Sequence, residues 1–277
     1  AREAMWAHMR REAEEALRLD PSLTPLMLGA ILNRASLEEA VVHRIAIRLG
    51  ASAVDAETIA DSFLQAVREV TKKHGIVLIF DEIVTGFRIA WDGAQERYGV
   101  VPDLACYGKA VSGGFPMAAI AGSGEVMAVL DARSRPRADV VWATNTLNGN
   151  PVCAAAGCAA LEVLAQPGVY DHLSRIGGRL RKGIVDAGTR HGFAVQAPGE
   201  DAVFGVRFTD RRPLRTWMDL TTADKDLGYR WALELLRRGL LVNPNEKFYI
   251  SIAHTDGDID RTLGIAEEAF AALRAAG

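Results

Sequence analysis

The sequence predicts an α/β protein: a mostly parallel sheet flanked by helices, a smaller α+β domain after it and a helical segment before it. Three observations carry this. Val77-Leu78-Ile79-Phe80 is a continuous apolar run rich in β-branched residues, and Leu104-Ala105-Cys106-Tyr107 is a shorter run of the same kind. Such runs read as strands buried on both faces. Asp81 stands at the end of the first and Lys109 at the end of the second, and their separation of 28 positions leaves room for a crossover with a helix, so the strands are most simply parallel neighbours. Residues 170–192 form the third signal, a long amphipathic helix with Leu173, Ile176, Leu180 and Ile184 on one face, followed by short strands alternating with helices.

In open α/β sheets, ligands bind at the carboxyl ends of the strands. Asp81 and Lys109 are the polar residues that this pattern puts there. A buried ion pair gives the same pattern as a catalytic pair.

Composition removes several function classes. At 277 residues and 49% apolar content the chain is long enough for one large or two ordinary domains. A formal net charge of −3, with both signs mixed along the chain, gives no electrostatic footprint for nucleic acid. No apolar run approaches the roughly 20 residues of a membrane span and no signal-peptide pattern opens the chain, so the expected location is the cytoplasm, without a membrane partner. Cys106, Cys153 and Cys158 lack a CxxC spacing and are expected as small buried residues, and the six histidines form no HExxH-like cluster, so no metal site is expected.

The elements follow in order. Residues 1 to about 50 read as three short helices: a stripe of Met5, Met9, Ala13, Ala16 and Leu17 ended by Asp20-Pro21, an apolar stretch over 24–33, and a third helix opened by the capping box Ser36-Leu37-Glu38-Glu39 and closed at Gly50. Residues 51–57 are an alanine-rich joint. Residues 59–73 form a helix with Phe63, Val67 and Val70 on one face and Gly75 as its stop. Past Lys109, Ser112-Gly113-Gly114 is a flexible loop or an ordinary turn before Pro116, 117–121 a strand, 125–131 a helix and 134–139 a loop. Asn150 caps a helix that begins at Pro151 and whose Ala/Gly-rich body suits close packing. After the long helix, 202–208 alternates as a strand, 229–239 is a helix, 240–242 and 248–252 are strands, and a capping box at Thr255 and Asp258 opens the last helix.

The words DEIVTGFR, YGKAVSGGFP and TLNGNP, and the run EKFYISIAHTDGDID, resemble the class III, fold type I aminotransferases that use pyridoxal 5′-phosphate, most closely the glutamate-1-semialdehyde 2,1-aminomutases. The likeness covers about the last 215 residues. It implies that Lys109 forms the internal aldimine and moves the proton between the α-carbon and the cofactor, and that Asp81 keeps the ring nitrogen protonated. Ile83 falls where the family packs a branched side chain on the ring, and Thr146 where it hydrogen-bonds the cofactor phosphate across a dimer interface, unless Thr146 and Asn148 merely cap turns. Val84 falls where many members hydrogen-bond the ring hydroxyl, which valine cannot do. Desolvation at the strand end is expected to lower the Lys109 pKa.

Residues 5–50 are similar instead to the N-terminal helical segment of serine O-acetyltransferases, which mediates oligomer contacts; no hexapeptide repeat, the acetyl-transfer part of that family, occurs. The expected organisation is a helical oligomerisation segment (1–55), a partial fold type I large domain (56–168) and a small C-terminal domain (169–277). The resemblance also implies that the upstream half of the large domain, with its Gly-Ser/Thr-Glu-Ala phosphate loop and ring-stacking residue, has no counterpart in residues 1–75. It leaves a sheet edge near 77–81 to be covered. The expected protein is an aminotransferase or 2,1-aminomutase acting on a small amino donor and acceptor as a homodimer or higher oligomer, with weakened cofactor retention. The alternatives are a catalytically silent oligomerisation or binding module, and a serine acetyltransferase accessory protein. His254 is expected as a satisfied structural histidine, and Arg88 and Arg207 could contact a substrate carboxylate, but neither is assigned to the site, since exposed or paired arginines are common.

Overall fold

The computed structural model describes residues 56–133, 135–142, 148–214 and 217–276. The helices expected over residues 1–50, and Thr146, lie outside the described residues. In chain order the elements are α1 (Ala56–Lys73), β1 (Ile79–Glu82), α2 (Ala94–Tyr98), β2 (Leu104–Tyr107), β3 (Ala119–Gly122), α3 (Gly124–Met127), α4 (Pro151–Leu164) and α5 (Val169–Arg190). There follow β4 (Val195–Gln196), β5 (Gly199–Glu200), β6 (Val203–Gly205), β7 (Arg207–Phe208), α6 (Trp217–Leu220), α7 (Lys225–Arg237), β8 (Lys247–Tyr249) and α8 (Asp256–Ala275). The α/β class read from the sequence holds.

Two compact units share these elements. The first contains, among the described residues, 56–80, 100–106 and 120–142. Its strands belong to a sheet of order β1-β2-β3. The Asp103 N–H donates to the Leu78 carbonyl at 2.8 Å, which sets the starts of β1 and β2 side by side, the parallel arrangement. Ser123, just past the end of β3, donates its N–H to the Asp103 carbonyl at 2.9 Å, so β3 runs antiparallel to β2. The Asp103 carboxylate ties this edge together by accepting from the Leu78 N–H (2.7 Å) and from Arg68 Nη1 of α1 (2.9 Å). Helix α1 ends as expected with Lys72 and Lys73 in its last turn and Gly75 at a φ of 65°. Val70, expected on the packed face, is instead exposed.

The second unit contains 81–99, 107–119 and 148–276. Asn150 Oδ1 accepts from the N–H groups of Val152 and Cys153, and Pro151 occupies the first turn of α4, where its missing N–H costs nothing. Leu173, Ile176, Leu180 and Ile184 of α5 are buried, as their spacing predicts, and α5 packs on α8. The Thr255–Asp258 capping box opens α8. Rings close the core: Trp231 stacks on Phe270 at 5.2 Å, and Phe204 on Phe248 at 5.4 Å.

Differences from the expected elements cluster here. The single strand expected over 202–208 is two, β6 in a sheet of order β5-β6-β8 and β7 paired with β4. Residues 202–206 are buried without alternation, because they are covered on both faces and Val206 lies at the switch between sheets. No strand forms over 240–242, α7 begins earlier under an Asp224 cap, and Cys158 is exposed. Among the described residues, no single helix is long and apolar enough to cross a membrane, and no group of His, Cys, Asp and Glu could hold a metal ion.

Candidate active site

Alternation in β1 sends its two carboxylates to opposite faces: Asp81 is exposed and Glu82 is fully buried. Asp81 Oδ1 accepts the Ile83 N–H at 3.0 Å, which fixes the carboxylate at the strand end. Glu82 reaches across to α2, where Oε1 accepts from the N–H groups of Ala94 (2.7 Å) and Gln95 (3.2 Å), while Oε2 takes the Thr85 hydroxyl. These donors at a helix start favour a carboxylate. Gly93, at a φ of 70°, is needed for the approach, since a Cβ there would come 2.5 Å from Glu82 Oε2.

The segment between β1 and α2 therefore folds back over Glu82. Gly86 donates to the Glu82 carbonyl at 2.9 Å, and the Phe87 ring packs 5.2 Å from Tyr107 at the end of β2. Burial, then the charges of Glu82 and Asp92, raise the Tyr107 phenol above its ordinary value, and Gln95 Nε2 bonds its oxygen at 3.0 Å. Arg88 is pinned within the same segment: Nε donates to the Val84 carbonyl (3.1 Å) and Nη1 to that of Ile250 (3.0 Å), with the guanidinium 5.1 Å from the Tyr249 ring centroid.

Strand β2 ends at Tyr107, and Lys109 follows one residue later as the start of a 3-10 turn, Lys109–Ser112. Its φ of 46° is left-handed, a conformation that costs a non-glycine residue about 1 kcal/mol or more and collects at functional sites. Ser112 closes the turn by donating its hydroxyl to the Phe115 carbonyl at 2.5 Å. The Ile83 side chain lies so near Gly108 that a Cβ there would meet it at 3.1 Å.

Lys109 borders a cleft of about 640 Å³ whose walls include Phe87, Arg88, Val163, Leu164 and Ile252. A cleft of this size and apolarity is typical of a small-molecule site. Of the site residues expected from the sequence, Lys109 lines it; Asp81 and Ile83 stand together at the adjoining strand end but outside its wall. One expectation is corrected: Lys109 is exposed rather than desolvated, because it sits beyond the strand on an open turn. The alternative of a buried ion pair is not seen, since among the described residues no ion pair joins Lys109 to Asp81. His254 is a structural residue, as expected: Nδ1 accepts the Ser251 N–H (3.0 Å), and His172 Nε2 meets its carbonyl oxygen at 3.1 Å.

Arg88 and the capping role of Glu82 were not assigned from sequence. The Asp81-Glu82 pair does carry a signal for Glu82, since alternation must turn one of two adjacent strand carboxylates inward. The fixed position of Arg88 has none, because its partners are backbone carbonyls, one of them 162 residues away.

The family model "Aminotransferase class-III" matches residues 55–255, and the model "Serine acetyltransferase, N-terminal" matches residues 5–80. A curated relative, the glutamate-1-semialdehyde 2,1-aminomutase of Desulfosudis oleivorans, is 39% identical over 213 residues, 76% of this chain and 48% of that protein. The chain thus spans about half the length of this relative. Among solved structures, an omega-transaminase from Sphaerobacter thermophilus is 31% identical with a TM-score of 0.69, over 78% of this chain and 48% of its own. The PLP internal aldimine form of the FumI protein of Sphingopyxis sp. MTA144 is 28% identical with a TM-score of 0.65, over 77% and 47%. With a family match across residues 55–255 and a fold shared with these transaminases, the chain belongs to the class-III aminotransferases.

Proposed function

We propose that this chain carries the lysine-bearing part of a pyridoxal 5′-phosphate-dependent aminotransferase or 2,1-aminomutase site. One observation carries the reading: Asp81, Ile83 and Lys109 stand at the ends of neighbouring strands, with Lys109 on the wall of the cleft. These residues fit the cofactor. An accessible amine, an oriented carboxylate and a branched apolar side chain packed on Gly108 are the groups an aldehyde-bearing aromatic ring with a basic nitrogen requires.

Bound there, the cofactor would supply an electron sink for negative charge developing at the amino-acid α-carbon. Lys109 Nζ would hold it and, once released, take and return the α-proton; Asp81 would keep the ring nitrogen protonated; Ile83 would bear on the ring face. Its exposure gives the Lys109 amine free access to both cofactor and substrate. Thr146 is proposed as a phosphate ligand, residues 56–168 and 169–277 as the large-domain and small-domain parts, a homodimer or higher oligomer as the assembly, and the cytoplasm as the location.

The match of residues 5–80 to the serine acetyltransferase N-terminal model supports a second reading, an oligomerisation or binding module without catalysis. One experiment separates the two. Pyridoxal phosphate is titrated into the protein, trapped with borohydride and mapped by peptide mass, with Lys109→Ala alongside. The enzyme reading expects one saturable adduct on Lys109 that the variant lacks. Equal labelling of both proteins, or none, would reject it in favour of the second.

A further inference from the structure

We infer that Arg88 is the anchor for a substrate carboxylate in the cleft beside Lys109, and that the cleft takes a monocarboxylate amino acid with an apolar side chain. The inference rests on the aminotransferase reading above and names the substrate class of that site.

Arg88 is half-buried, and its guanidinium is held by two neutral carbonyls, Val84 and Ile250, and by the Tyr249 ring. Among the described residues no carboxylate pairs with it, and burial holds its pKa below the ordinary guanidinium value. Among the described residues the cleft wall contains no Asp or Glu, and Lys109 is its other cation. A cation withdrawn from water beside apolar walls and left without a countercharge is electrostatically unsatisfied, and an entering carboxylate supplies what is missing.

Geometry agrees with this. The two backbone bonds use one hydrogen on Nε and one on Nη1, and neither bond uses Nη2, whose two hydrogens can serve a carboxylate oxygen. The backbone fixes the guanidinium before any ligand arrives, so little side-chain freedom is lost on binding. Val163, Leu164, Leu173, Ile250 and Ile252 make the remaining described wall largely apolar, with Ser251 as a polar exception, which suits a hydrocarbon side chain and penalises a second charge. Lys109 on the same wall places the reacting amine within the same cleft as the anchored acid.

Phosphate shares the anion chemistry, so the test includes it. Hexanoate, hexan-1-ol and inorganic phosphate are titrated calorimetrically into the full chain without cofactor, with Arg88→Gln and Arg88→Lys in parallel. Saturable hexanoate binding is expected, about ten-fold tighter than hexan-1-ol, reduced about ten-fold or more in Arg88→Gln and partly restored in Arg88→Lys. The inference is overturned if hexanoate does not bind, binds no better than the alcohol, is unaffected in Arg88→Gln, or is displaced by phosphate with equal affinity. Should circular dichroism show Arg88→Gln unfolded, Val163→Glu takes its place: an acid on this exposed wall position must weaken hexanoate and spare the alcohol, and equal effects on both overturn the inference. Borohydride trapping on Lys109 is scored separately, so a failed aminotransferase reading and a failed carboxylate site give different results.

Discussion

In the second unit Ile176, Ile184, Leu235 and Phe270 are completely buried, whereas in the first Val101 and Ile120 are 68% and 56% exposed, and Val141 and Trp142 are exposed as well. Both regions are built from similar apolar residues. In the second, α5, α7 and α8 enclose one another's apolar faces and the short sheets. In the first, β3 has no buried residue and its apolar side chains meet no cover among the described residues. Local sequence made strands and helices in both places; only the second unit completes a core from its own described residues. The candidate site depends on that core, because the cleft is walled by α4, α5 and the residues after β8.

The sharpest test of this contrast is a pair of truncations. Phe270→Ala removes a fully buried ring that touches Phe193, Phe208 and Trp231 and should cost about 3–5 kcal/mol in urea unfolding, whereas Ile120→Ala should change stability by no more than about 0.5 kcal/mol. Comparable losses at the two positions would mean that Ile120 is covered in solution.

A smaller effect belongs to the buried carboxylate beneath the site. Glu82→Ala leaves the N–H groups of Ala94 and Gln95 and the Thr85 hydroxyl without their acceptor and should destabilise by about 2–4 kcal/mol. Glu82→Gln, which keeps one oxygen acceptor, should lose less. The informative readout is hydrogen exchange, expected to speed up over residues 83–98 and to stay unchanged in α8. Uniform acceleration would make Glu82 a global core residue rather than a local fastening.

The smallest effect is alkaline. The Tyr170 phenol is pushed up to about 12, first by burial and then by the charges of Glu96 and Asp92, and its hydroxyl is buried without a hydrogen-bond partner among the described residues. A phenol whose pKa rises on folding gives a contribution that is complete below the unfolded value near 10 and is lost as pH climbs through about 12. Tyr170→Phe should therefore flatten the loss of stability between those pH values and leave neutral stability unchanged or slightly higher. A variant with the same alkaline slope as the parent would show that Tyr170 is ionising normally.

The site was partly legible for reasons visible in single residues. A buried strand must end in a polar residue where it leaves the core, so Asp81 and Lys109 could be placed at neighbouring strand ends. The caps at Asn150 and at Thr255 with Asp258 were legible because their hydrogen bonds span only two or three residues. The exposure of Lys109 was not, since it follows from the left-handed turn after Gly108 and from the walls that α4 and the residues after β8 contribute. Nor was the break at Val206, which depends on β4, β5 and β8 arriving from elsewhere to pair with different ends of one apolar run.

By itself the sequence determined the α/β class, the parallel neighbours β1 and β2, the capped helices, the buried stripe of α5 and the identity of the amine and carboxylate at the strand ends. Periodicity, capping and strand alternation act over a few residues and do not need the rest of the chain. Tertiary structure alone decided that Glu82 faces inward as a helix cap while Asp81 faces out, and that 202–208 serves two sheets. It also decided that Arg88 is fixed by the carbonyl of Ile250 on the wall it shares with Lys109. Those outcomes are set by which groups meet across long stretches of chain, where burial and hydrogen-bond satisfaction are settled between partners that no local pattern names.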